Sequence, residues 1–234
     1  MTEAVVMAAG EGRRLRPLTE RWPKPLLPIN GRPVIATLLR ELAVAGGACV
    51  TMVTGHLAEA LERFVGDGSA FGVEVRFVRQ PEPDGSADAL RRALAAGAQP
   101  PLTVVGADTL FSAGDVGRFV EAARGERLGA LAVRRHPAPG AGKTPVAVSN
   151  GHVTRIKDVD PMSTPVGGAP LWWIGSGFLP FLDGLPGPPY ELADALDAAL
   201  SAGGPVSAIE IGATQDLTYP EDLVVENFPY AGAT

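Results

Sequence analysis

Apolar residues along this chain alternate between two rhythms. Short β-branched or alternating runs at residues 5–6, 49–53, 73–78, 102–105 and 128–133 read as strands. Between them, residues 33–45, 57–65, 86–96 and 116–123 carry apolar positions at helical spacing. Pro33 suits a first helical position, and Gly46-Gly47 suits a helix stop. This strand–helix alternation, sustained through about residue 134, predicts βαβ units and a mostly parallel sheet. Crossovers should be right-handed, and ligands should bind at the carboxyl ends of the strands.

Beyond that point the pattern changes. Residues 136–144, HPAPGAGKT, form a Pro/Gly stretch ending in Gly142-Lys143-Thr144. A P-loop would need glycine where Pro137 stands and a helix where Pro145 stands. The expectation is therefore an exposed loop, with Lys143 a candidate acceptor contact in a flap. Asn150-Gly151 between alternating runs predicts a hairpin over 146–156. A strand over 171–178, a helix over 190–200, a strand over 206–211 and a closing helix over 220–227 complete the reading.

Composition narrows the classes. A chain of 234 residues suits one large α/β domain. A net charge of −6 argues against a nucleic-acid footprint. No secretory signal and no apolar run of about 18 residues appears, so no membrane partner is expected. Cys49 is the single cysteine and lies in the apolar run CVTMV. It is expected buried and reduced, in a cytoplasmic setting.

Residues 5–29, VVMAAGEGRRLRPLTERWPKPLLPI, concentrate the candidate chemistry. The first strand runs into Ala8-Ala9-Gly10-Glu11-Gly12, small residues that let backbone N–H groups approach a ligand. Arg13, Arg14 and Arg16 follow, and Lys24 stands between Pro23 and Pro25. Backbone and charged donors converging beside a glycine turn suit a polyphosphate. The prolines predict an extended segment that aims the Lys24 ammonium. The dinucleotide fingerprint fails, because Leu15 stands where its third glycine is required.

From Ala8 to Ile29 the stretch resembles the signature of the sugar-phosphate nucleotidyltransferases, the nucleoside-diphosphate-sugar pyrophosphorylases. Their pattern is a small-residue pair, G-x-G-[ST]-R-L-x-P-L-T, then P-K-P-L-[LV]-P-[IV]; Arg13 departs from the usual Ser or Thr. The resemblance implies a Rossmann-like α/β fold with a small acceptor-side β insertion. It implies a single domain, 1–234, with a nucleotide-binding half over 1–134 and an acceptor half over 135–234. It also implies an enzyme that transfers a nucleoside monophosphate from a triphosphate to a sugar 1-phosphate, using Mg²⁺, in nucleotide-sugar biosynthesis. The base is expected to be a pyrimidine, and the protein a monomer or homo-oligomer.

By the same resemblance, Arg14 and Lys24 hold the phosphates and the developing charge. Ala8, Ala9, Gly10 and Gly12 belong to the nucleotide cradle. Residues 80–89, QPEPDGSADA, match the family's Q-x-x-x-x-G-[TS]-A-x-A, which assigns Gln80, Gly85 and Ser86 to the nucleotide site. A helix N-cap at Ser86 is a compatible reading. Asp108, just past the run LTVV, matches the family's metal-binding aspartate. Setting Pro220 and Asp222-Leu223 on the family's D-x-G-T-P-x-D-L puts Asp216 on the second metal position, with Glu210 the rival. The acceptor half departs, with IKDVDP at 156–161 where many members carry E-K-P. Two alternatives stand beside this reading. One is cytidylyl transfer to a non-sugar phosphate or phosphonate, and the other is a nucleotide-binding module without turnover.

Overall fold

The computed structural model describes residues 3–138 and 143–228. Its strands are β1 Glu3–Ala8, β2 Pro28–Ile29, β3 Arg32–Pro33, β4 Cys49–Thr54, β5 Glu74–Arg79, β6 Leu102–Gly106 and β7 Thr109–Phe111. They continue with β8 Gly129–Arg134, β9 Ala147–Ser149, β10 His152–Arg155, β11 Gly167–Ile174, β12 Val206–Glu210 and β13 Thr214–Asp216. The helices are α1 Val34–Val44, α2 Ala58–Val65, α3 Ser86–Ala95, α4 Asp115–Ala123, α5 Leu192–Ser201 and α6 Asp222–Asn227.

Nine strands form the central sheet in the order β5-β4-β1-β6-β11-β8-β12-β10-β9. β1 lies parallel to β4 and β6, and β4 to β5, as the alternation predicts. β11 runs antiparallel between β6 and β8, and β12 returns parallel to β8. One sheet thus continues through both halves of the chain, with the β9–β10 hairpin added at its far edge. At the hairpin turn Asn150 and Gly151 have φ of 51° and 76°, the doubly left-handed turn that matches strand twist.

The sheet is covered on both faces because its strands alternate. Ala4, Val6 and Ala8 pack with Ile35 and Leu39 of α1 and Phe119 of α4. Val5 and Ala9 pack with Leu90 of α3 and Leu196 of α5. Both faces of β1 are buried, so it reads as a continuous apolar run.

Three readings of these elements require correction. Cys49 is exposed, because it opens β4 at the amino rim of the sheet, where its side chain escapes the helices. The strand expected to reach Phe178 ends at Ile174, and Ser176–Leu182 winds into a 3₁₀ helix. Lys24 is not in an extended segment: Lys24–Leu26 is a 3₁₀ turn, closed by Leu26 N–H to Pro23 O at 2.9 Å and Leu27 N–H to Lys24 O at 3.0 Å. The pairing of β13 with β7 has no counterpart in the sequence reading, because three-residue strands carry too little periodicity. Residues 139–142, the middle of the expected flap, lie outside the described residues.

Candidate active site

A cleft opens at the carboxyl ends of β1 and β6. Two adjoining cavities of about 310 and 320 Å³ share Met7, Arg14, Lys24, Asp108 and Thr218 in their walls. Ala8, Gly10 and Gly12 line one end; Ser86, Arg134, Lys143, Trp172 and Asp216 line the other. Such a position and size suit a small ligand in an open α/β sheet.

The glycine turn is held from below. Gly12 sits at φ 63°, and its carbonyl accepts from Thr19 Oγ1 at 3.0 Å. His56 Nε2 lies 2.7 Å from the Thr19 carbonyl. Arg13, the departure from the family pattern, pairs with Glu11 at 2.7 Å and lies largely exposed at the rim of the cleft. Arg14 is exposed at the cleft, with its guanidinium 5.7 Å from the centre of the Tyr219 ring.

Lys24 crosses the cleft to Asp108, its Nζ donating to Oδ2 at 2.5 Å. Asp108 lies between β6 and β7 with 37% of its side chain exposed. Burial acts to raise its pKa, but Lys24, and more weakly Lys143, outweigh that and hold it below the usual aspartate value. Register brings in the second carboxylate: Asp216 on β13 pairs with Thr109 on β7. Its Oδ1 accepts from Lys143 Nζ and, at 3.0 Å, from Thr218 Oγ1. The rival Glu210 pairs with Arg135 at 2.8 Å and lines a separate groove with Arg135 and Val148. Lys143 is therefore not an exposed loop lysine. Gly168 N–H donating to Thr144 O at 2.8 Å and the Pro145–Gly167 bridge fasten its segment onto β11.

Gln80 and Gly85 do not line the cleft; they shape the loop behind it. Gln80 is buried, and its Nε2 donates to Gly85 O at 3.0 Å and Asp88 Oδ2 at 2.8 Å. Ala9 is likewise buried, beneath the turn. Gly85 sits at φ 99°, where an added Cβ would run into the backbone of Tyr190. G85A is therefore expected to destabilise the fold by more than about 1 kcal/mol. That is a fall in melting temperature of at least about 2–4 °C. An unchanged melt by circular dichroism would mean that the loop repacks freely.

Ser86 is not the N-cap of its own helix; it is the first residue of α3, behind Gly85. Its hydroxyl donates to Glu191 Oε2 at 2.5 Å and accepts from Leu192 N–H at 2.8 Å. Glu191 Oε2 also accepts the Ser86 N–H at 3.3 Å, so α3 and α5 cap each other at the cleft wall.

The acceptor-side departures resolve into structure. Lys157 donates to Asp194 at 2.5 Å and ties β10 to α5, while Ile156 lines the cleft. Trp173 is core, and Trp172 is cleft wall. Sequence reasoning missed Glu191 and Arg134, and nothing local marks them: one opens a helix, the other ends an apolar strand. Arg134 is 2% exposed, and its Nη1 donates to Gly168 O at 2.5 Å. Burial lowers its pKa against the opposing pull of Asp216, yet a guanidinium stays charged at neutral pH.

A mostly parallel sheet covered on both faces, with charged groups gathered at its strand ends, defines a Rossmann-like α/β protein. Residues 3–143 match the nucleotidyl transferase family, and the chain belongs to it. A UTP–glucose-1-phosphate uridylyltransferase of Haloferax volcanii is 30% identical across 94% of this chain and 93% of its own. An N-acetylmuramate alpha-1-phosphate uridylyltransferase of Neisseria meningitidis is 39% identical over 46% of this chain. That match spans 47% of the Neisseria protein, about half its length. The inositol-1-phosphate CTP transferase of T. maritima superposes with a TM-score of 0.80 at 19% identity. The superposition covers 95% of this chain and 91% of that one. No helix among the described residues is long and apolar enough to cross a membrane.

Proposed function

We propose that this protein transfers a nucleoside monophosphate from a pyrimidine nucleoside triphosphate to a phosphorylated acceptor of the sugar 1-phosphate kind. The observation that carries the reading is a pair of lysine–carboxylate contacts, Lys24–Asp108 and Lys143–Asp216, facing one cleft beside the glycine turn. In the reaction an oxygen of the acceptor phosphate attacks the α-phosphorus in line. The new P–O bond forms as the bond to the α,β-bridging oxygen breaks, and pyrophosphate leaves with that electron pair.

The chain's task is positioning and neutralising charge. Backbone N–H groups around Gly10 and Gly12 would receive the triphosphate, and Arg14 would leave the Tyr219 ring for its oxygens. Lys24 would move from Asp108 to the phosphates. Asp108 and Asp216 would hold Mg²⁺, since both carboxylates line the same cavity as Arg14 and Lys24. An ion held by one or two carboxylates, with phosphate oxygens and water completing the shell, is the usual Mg²⁺ arrangement. When bound, the ion would neutralise charge on the reacting phosphates.

The uridylyl relatives support a pyrimidine donor. The T. maritima CTP transferase keeps a second reading open on this fold, cytidylyl transfer to a non-sugar phosphate. The acceptor wall differs from the family pattern, with Ile156 at the cleft and Lys157 tied to α5. Glucose 1-phosphate is therefore expected to lie about 10-fold or more below the best acceptor in kcat/KM. Pyrophosphate release across four triphosphates and a panel of sugar phosphates and phosphonates checks both halves. A purine as best donor, or glucose 1-phosphate as best acceptor, would overturn the corresponding half. No release with any pair would leave the binding-module reading.

A further inference from the structure

Arg134 ends β8 and lines the cleft beside Lys143, Thr144 and Gly168. Only 2% of the residue is exposed, and its Nε is buried with no hydrogen-bond partner among the described residues. A buried donor left unpaired is costly, so such a group points to a partner that arrives from outside the chain.

The surroundings say what that partner is. Among the described residues no carboxylate is paired to the guanidinium, whose Nη1 is spent on the Gly168 carbonyl. Asp216, whose charge reaches Arg134, is already engaged by Lys143 and Thr218. Arg134 is thus a buried cation with no carboxylate hydrogen-bonded to it among the described residues, and an oxyanion would balance it. A planar guanidinium suits a phosphate or carboxylate edge. Arg134 and Asp216 line the same cavity, and on the reading above Asp216 would mark its reacting end, where the acceptor phosphate would lie.

We propose that Arg134 binds the acceptor's phosphate, donating from its unpaired Nε–H, while Lys143 neutralises the same group. This rests on the nucleotidyl-transfer reading above. It gives Arg134 a binding role, distinct from the phosphate-neutralising role of Arg14 and Lys24 on the donor.

Inorganic phosphate is the probe. It is titrated by calorimetry or amide NMR onto wild type, R134Q and R134K, with and without a saturating non-transferable UTP analogue. R134Q is expected to lose about 10-fold or more in phosphate affinity, and R134K, which keeps charge but not the fork, to fall between. Affinity for the UTP analogue should stay within about threefold. If R134Q does not fold, R134K carries the comparison. Unchanged phosphate affinity, a loss of acetate binding instead, or an equal fall for the UTP analogue would each overturn the proposal. The last of these is what a merely structural Arg134 would give. A wild type that binds phosphate through Arg134 but releases no pyrophosphate with any substrate pair would sink the transfer reading alone.

Discussion

Replacing Lys24 with alanine is expected to lower turnover by about 10²-fold or more while leaving the fold intact. Its ammonium, 16% exposed at the side chain, already spans the cleft to Asp108. The 3₁₀ turn at Lys24–Leu26, with Pro23 buried on one side and Pro25 on the other, fixes where the stem begins. A cation already held in the cleft has only to pass from Asp108 to the phosphates to stabilise charge that develops in the transition state. Most of its side chain is buried, so a melt accompanies the kinetics, and the loss is expected in kcat with the variant still folded. Arg14→Ala, on the same wall but more exposed, should act in the same direction. Pyrophosphate release by purified, folded variants is the measurement. Turnover within about threefold of wild type would remove the residue from the mechanism.

Asp108→Asn and Asp216→Asn are expected each to cost about 10²-fold or more in activity while nucleotide still binds. Each amide keeps the size of the carboxylate but cannot supply a charged oxygen to Mg²⁺. Asp216→Asn also frees Lys143, so the two variants should differ toward an anionic acceptor. Activity across a Mg²⁺ titration, with nucleotide binding by calorimetry, separates metal loss from donor loss. Retained activity in Asp216→Asn with metal found at Glu210 would show that the second ligand lies elsewhere. The lowered pKa of Asp108 sets the pH sign. Stability from the Lys24–Asp108 contact is present above about pH 4, the ordinary aspartate value. It fades as pH falls through the lower folded value. Protonation of Asp108 therefore contributes no acid limb near neutrality.

Much of the fold was legible in the sequence, because its signals there are local. The run from Val5 into Gly10 and Gly12, the helix starts near Pro33 and Ser86, and the Asn150-Gly151 turn each depend on neighbours in sequence. Their conformations follow from φ preferences and side-chain alternation. Asp108 was legible for the same reason, since it follows a buried strand directly.

Tertiary structure alone decided the rest. Asp216 faces the cleft and Glu210 does not because β13 pairs with β7, a contact between two three-residue strands far apart in the chain. The same long-range assembly lays Lys143 against Asp216 and turns a loop lysine into part of the wall. It insets β11 antiparallel beside β8, giving Arg134 the Gly168 carbonyl and burying its Nε. It leaves Cys49, in an apolar run, exposed at the sheet's amino rim. Periodicity says which face of an element is apolar; it carries no information on which distant side chain will meet a given charge. The sequence by itself therefore determined the α/β scaffold and the glycine turn, while packing determined which ions share the cleft.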